Sequence, residues 1–372
     1  MSLRNALAGT RCAIQMGQKR FGAGVELKTV VIVFGRWWPV SMPEATLHMK
    51  MRPLHVTLFL LAAILIGRAA ILQNDTPSRM NEYIQGHVRM PFQGRYLMVP
   101  VLRWAESGTA LQRGSELLKQ SSRGPVDLMM QLVDVLCLIA MGFVAVRLRN
   151  DLSPAMIFPW LAPGLLLWVV LCGYVARYES RFYQPYDFVA ALIFAIGILA
   201  CVESRPLLLI GMVLIGSYNR ETAICLLPIW LACNFDKSRW RVWSCAAIAL
   251  AAWIAVRLQM RRWFPGPLLG FELPWMLNIR MLLPHHLPQV LSVGGFLVIP
   301  MWLGRRMIHD KLLVRVWVGS LPFVIATLVF GWWNETRIFG ELNVLFAVTA
   351  AVQFEQYLRE NVDRARLPGS GA

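Results

Sequence analysis

Eight apolar runs, at 54–72, 126–146, 155–175, 187–202, 241–257, 289–303, 314–333 and 338–354, govern what this chain can fold into. About 20 apolar residues in a helix cross the roughly 30 Å hydrocarbon core of a bilayer. Backbone at that depth must satisfy its own hydrogen bonds, and for runs of this kind the helix does so. The rest of the composition agrees. Of the 372 residues 57% are hydrophobic and only 16% charged, where an average soluble domain is about a quarter charged. The 37 Lys and Arg against 21 Asp and Glu leave a net charge of +16, on a chain whose mean hydropathy is +0.51. Basic residues on so apolar a chain belong in loops at a membrane surface, and a nucleic-acid partner is not expected.

A further region, 206–233, is too long for one tidy helix and carries Tyr218-Asn219-Arg220-Glu221-Thr222 in its interior. It is either one broken span or two short spans closed into a hairpin. Charge bias arbitrates. With a hairpin and a cytoplasmic start, Lys237, Arg239, Arg241, Arg305, Arg306, Lys311, Arg315, Arg359, Arg364 and Arg366 fall inside, and Arg257, Arg261, Arg262, Arg280 and Arg337 fall outside, ten against five. A single span inverts that count, against the positive-inside rule. The cluster Arg257, Arg261 and Arg262 runs the other way. The expected fold is therefore an all-α, polytopic transmembrane bundle of about ten spans with both ends cytoplasmic.

Residues 49–356 form the helical domain in this reading, with a long extracytoplasmic first loop at 73–125 and a cytoplasmic tail at 357–372. Within the loop, Tyr96 to Trp104, flanked by Arg95 and Arg103, suits a helix lying in the interface. The first 48 residues carry scattered basic residues and one apolar piece, 29–34, too short to span. They also lack a signal-peptide pattern. Met49-Lys50-Met51-Arg52 directly before the first long apolar run is a natural beginning, so 1–48 is expected to be disordered or to precede the true start codon. The mass of the intact native chain decides this. The seven cysteines show no C-x-x-C and no disulfide framework. The expected location is the inner membrane of a bacterium, as a multi-pass protein.

Four polar, aromatic-rich segments fall on the extracytoplasmic face in this topology. They are 74–96, with Asp75, Glu82 and Arg95; 177–187, with Tyr183, Tyr186 and Asp187; 219–222, with Asn219, Arg220 and Glu221; and 333–341, with Glu335, Arg337 and Glu341. Each sets Arg beside carboxylate at the edge of hydrocarbon, where uncompensated charge costs a few kcal/mol. Interfacial anchoring explains any one of them. Four on one face point to a shared pocket made from the ends of the bundle. Arg220 and Glu221, at the meeting of two short helices, are the most specific pair, and Arg carries the planar fork that matches phosphate oxygens. Within spans, Arg68 is placed to snorkel to the outer surface and Asp134 to face a neighbouring helix. His285-His286 has no third ligand at helical or turn spacing, which makes a zinc-type site a poor reading.

Phe92-Gln93-Gly94-Arg95, Tyr183-Gln184-Pro185-Tyr186-Asp187, Asn219-Arg220-Glu221-Thr222 and Glu335-Thr336-Arg337-Ile338-Phe339-Gly340-Glu341 resemble segments of a group of bacterial polytopic membrane proteins of unassigned activity. The layout over 54–355 is also similar to that of the GT-C superfamily of integral-membrane glycosyltransferases. The resemblance implies sugar transfer from a polyprenyl-phosphate donor to an envelope acceptor on the outer face, with membrane lipid as a partner. It places Asp75, or more weakly Glu82, as the acid–base carboxylate after the first span. Arg220 and Arg337 would then hold the leaving phosphate, Glu221 and Glu335 would orient them or bind sugar hydroxyls, and Tyr183 and Tyr186 would stack on sugar or prenyl. No adjacent Asp-Asp or Asp-Glu pair follows the first span, so a divalent metal stays an open question, and no cofactor is assigned.

Soluble-enzyme signatures are absent: there is no P-loop, no dinucleotide fingerprint and no nucleophile elbow. Two other classes remain. A secondary transporter of a small polar or anionic solute would use charge at a helix break, and a non-catalytic envelope-assembly protein would use the polar face for docking.

Overall fold

A computed structural model describes residues 53–72, 77–86, 95–117, 124–153, 158–176, 184, 186–264, 275–283, 287–331 and 336–366. The expected extension 1–48 and the start at Met49 or Met51 lie outside the described residues. Among the described residues there is helix and no strand. Five helices are long and apolar enough to cross a membrane: α1 (Pro53–Leu72), α5 (Gly124–Leu152), α10 (Arg239–Trp263), α14 (Lys311–Phe330) and the segment Ile338–Asn361, most of which is α15 (Asn343–Arg366). Between α1 and α5 lie three short helices, α2 (Pro77–Gln85), α3 (Val99–Ser107) and α4 (Thr109–Leu117).

The second half of the core is built from shorter apolar helices. These are α6 (Leu161–Val170, prolonged by a π-turn to Val175), α7 (Asp187–Val202), α8 (Pro206–Asn219) and α9 (Leu226–Asn234, entered through a 3-10 turn at Glu221–Cys225). The region 206–234 is a hairpin. At one end of α7, Asn219 Nδ2 donates to the Tyr186 carbonyl at 3.0 Å. At the other, Asn234 Nδ2 donates to the Cys201 carbonyl at 3.1 Å. The chain thus climbs along α7 through α8 and returns through α9. The lower turn, Glu203-Ser204-Arg205, is tight enough to hold Ser204 at φ 58°, a conformation that few residues other than glycine adopt. Pro206 then opens α8, where a missing N–H costs nothing.

The expected span at 289–303 is not one continuous helix. It is divided into α12 (Leu287–Leu291), a 3-10 turn at Val293–Phe296 and α13 (Val298–Leu303). Gly294 and Gly295 take φ 63° and 65°. A Cβ on Gly294 would stand 2.8 Å from the Phe346 ring, and one on Gly295 would stand 2.9 Å from the Trp168 ring. The break therefore follows from left-handed backbone pressed against two aromatic side chains. The remaining helix, α11 (Trp275–Arg280), caps the upper end of α14, where Asn278 Nδ2 donates to the carbonyls of Leu328 and Gly331.

Burial separates centre from rim. Of the most apolar stretch of Ile338–Asn361, 94% is buried, against 28% for α1 and α10. Along α1 the residues Leu54, Leu58, Leu61 and Leu65 are all exposed, an apolar stripe at helical spacing that faces away from the protein. Asp134 is fully buried. A Cβ on Gly67 of α1 would stand 3.5 Å from the Asp134 Cβ, so this carboxylate faces the neighbouring helix as expected. Arg68, by contrast, is exposed.

Candidate functional site at the hairpin apex

α8 ends because Arg220 leaves the helical region for an extended conformation (φ −155°, ψ 143°), and the 3-10 turn from Glu221 starts the descent. The apex thereby presents two opposite charges pointing to different partners. Arg220 Nη1 donates to Glu341 Oε1 at 2.9 Å and lies 3.9 Å from Asp187 Oδ1. Thr222 Oγ1 donates to the same Glu341 oxygen at 2.8 Å. Glu221 accepts from Arg95 Nη2 at 2.9 Å, and its other oxygen is 3.9 Å from Arg257 Nη1. Arg220 does not pair with its neighbour in sequence. Each member of the pair reaches to a different part of the chain.

Around Arg95 the packing is aromatic. Its Nη1 donates to the Tyr186 hydroxyl at 2.7 Å, and its guanidinium carbon lies 4.8 Å from the Tyr186 ring centroid. The Tyr83 hydroxyl donates to the Arg95 carbonyl, and the Tyr83 and Tyr186 rings meet at 6.1 Å. Burial pushes the Tyr83 phenol well above its ordinary range; Tyr186 adds to this and Arg95 opposes it. Burial also disfavours the charged form of Arg95, but Glu221 and Tyr186 outweigh that, and the guanidinium ends with its pKa raised. Arg95 therefore carries a full positive charge in a dry setting.

Three arginines thus meet three carboxylates, drawn from the loop before α3, the start of α7, the apex, α10 and the turn before α15. The inner part is closed. Arg220 and Glu341 are 7% and 2% exposed, and the gap beside them is about 10 Å3, room for one water at most. The outer part is open, since the Glu221 side chain is 40% exposed. Arg257 stands at this mouth. Its Nε and Nη2 are buried and hold no hydrogen bond. Each carboxylate of the cluster already faces an arginine, a donor set that does not fit a divalent cation. Among the described residues no three His, Cys, Asp or Glu side chains gather as metal ligands.

Of the residues expected from sequence, Arg95, Tyr186, Asp187, Asn219, Arg220, Glu221 and Glu341 are brought together. Asn219 serves the hairpin by bonding the Tyr186 backbone. Glu82 is exposed on α2 beside the buried Tyr83. Asp75, Tyr183 and Glu335 lie outside the described residues, as do His285 and His286, and Arg337 is placed only by its backbone, in the 3-10 turn Thr336–Leu342. Sequence reasoning overlooked Arg257 and Tyr83. The signal for Arg257 was its place at the end of an apolar run, where an ionisable residue is a functional candidate by default. Neither a protein-family model, nor a characterised protein, nor a solved structure matches this chain.

Proposed function

We propose that the chain is a ten-span integral-membrane transferase of GT-C type, moving a sugar from a polyprenyl-phosphate donor to an envelope acceptor on the extracytoplasmic face of a bacterial inner membrane. The ten spans are α1, α5, α6, α7, α8, α9, α10, the broken 287–303 segment, α14 and α15, with α2 to α4 in the first outer loop. The observation that carries the reading is Arg257: a guanidinium edge without a hydrogen bond, buried at the open mouth of a cluster of three arginines and three carboxylates. An anion is the ligand such an edge lacks, and two or three arginines in one dry site suit a phosphate.

In this reading the acceptor hydroxyl oxygen attacks the anomeric carbon while its proton passes to the Asp75 carboxylate. The bond from that carbon to the phosphate oxygen breaks, and the charge left on the polyprenyl phosphate falls to Arg257, assisted by Arg337. Arg220 and Arg95, held by Glu341 and Glu221, form the floor of the site. Tyr186 is used by Arg95, which leaves Tyr183 for stacking on sugar or prenyl. The secondary-transporter reading needs charge at a break midway along a span. With α8 and α9 closed into a hairpin whose apex lies at one end of the bundle, the transferase reading is favoured.

The test compares lipid-linked and envelope glycans by mass spectrometry in a deletion strain carrying wild type, Asp75→Asn or Arg257→Gln. The expected outcome is a missing sugar and accumulated polyprenyl-phosphate sugar in both variants. Unchanged glycans in all three strains would remove the transferase, and ion-driven solute uptake by proteoliposomes would install the transporter in its place.

A further inference from the structure

The opposite end of the bundle carries an open cleft of about 380 Å3, lined by Arg147 and Asp151 of α5, Val202, Glu203 and Arg205 at the α7–α8 turn, and Leu312 of α14. Its charges are mixed and interleaved. Arg147 Nε is 2.7 Å from Glu203 and 3.5 Å from Asp151, and Arg205 Nε reaches the other Glu203 oxygen. Both of these ion pairs of Arg147 are made through Nε, and a quarter of its side chain is exposed. The side chain of Asp151 is exposed to the same extent.

The surroundings are those of a membrane interface. Leu207, two residues beyond Arg205, is 83% exposed, and at the same end Trp240 and Trp302 are 81% and 67% exposed. Exposed tryptophans at the end of a helical bundle are typical of the headgroup region. A cleft there that offers guanidinium donors and carboxylate acceptors side by side matches a ligand carrying both signs. A purely anionic group would meet Asp151 and Glu203, and a purely cationic one Arg147 and Arg205.

We propose that this cleft binds the headgroup of a zwitterionic aminophospholipid, with its phosphate against Arg147, its ammonium against Asp151, and its acyl chains along Leu207, while the buried Glu203 holds the two arginines in place. The site is independent of the sugar-transfer reading.

The test is native mass spectrometry of the full chain in detergent micelles with added phosphatidylethanolamine, phosphatidylglycerol, phosphatidylcholine or free phosphoethanolamine. Phosphatidylethanolamine is expected to be retained in preference to the other three. Losing one charge-assisted contact should weaken binding about tenfold in either Arg147→Gln or Asp151→Asn. Phosphatidylglycerol retained as well as phosphatidylethanolamine, or phosphatidylethanolamine retention unchanged in the variants, overturns the proposal. Free phosphoethanolamine binding as well as the lipid overturns the lipid as its source. If Arg147→Gln does not fold, Asp151→Asn alone decides.

Discussion

Arg220 is held in place by what it would cost to separate it from Glu341. Both are almost fully buried, and removing one partner of such a pair strands a charge. Arg220→Met should therefore lower stability in detergent by about 3–5 kcal/mol. Arg220→Met combined with Glu341→Leu should recover part of that loss, because the closest buried pair is replaced by apolar side chains while the buried Asp187 still loses Arg220. Chemical denaturation of the three proteins checks both statements. Tyr83 gives a smaller effect. Tyr83→Phe deletes one hydrogen bond to the Arg95 carbonyl, worth about 1 kcal/mol. It should also flatten the alkaline limb of the stability profile. Because the folded phenol is raised above its unfolded value of about 10, its contribution is complete below that value and is lost as pH climbs past it. A Tyr83→Phe protein with an unchanged alkaline limb would show that another group sets it. At this scale the sequence was partly readable. The clustering of Arg with carboxylate marked the right segments, but which arginine meets which acid depends on contacts between residues more than 100 positions apart, as with Arg220 and Glu341.

The helices themselves follow the apolar runs closely. Pro53–Leu72 and Asp187–Val202 begin or end within a residue of expectation, since a long apolar run admits few alternatives. Gly294-Gly295 was the exception, because hydropathy counts a glycine pair as mildly apolar and says nothing of positive φ. The fit between helices is set by other glycines. A Cβ on Gly319 of α14 would stand 2.5 Å from the Ile229 Cα and 2.9 Å from the Pro228 carbonyl of α9. Backbone cannot swing aside as a side chain can. Gly319→Ala should force the two helices apart at a cost of about 1–3 kcal/mol, visible as a lowered melting temperature. Gly211, with open space at its Cβ position, should accept alanine without loss and serves as the control. Asp310 caps α14 by accepting from the Leu313 N–H at 2.7 Å. Asp310→Ala should cost about 1 kcal/mol in the same assay.

For the whole molecule, the organisation inferred from charge bias makes a simple demand on labelling. The six described cysteines are buried, so with Cys12 replaced by Ser a new surface cysteine reports cleanly. Glu82→Cys on α2 should react with an impermeant maleimide added outside cells. His309→Cys, at a position where the native side chain is 67% exposed, should react only after permeabilisation. Labelling of both from one side would remove the ten-span arrangement. The hairpin matters most here, because its two arms are short. α8 has 14 residues, about 21 Å of helix where the hydrocarbon is about 30 Å deep. During synthesis neither arm is a self-sufficient membrane segment. In the ten-span arrangement we propose, 206–234 must enter and leave on the same side, and the polar reversal at Arg220-Glu221 is the point of return. Erasing that reversal would join the arms into a single crossing. Everything after it, from α10 to the last helix, would then be delivered to the membrane upside down.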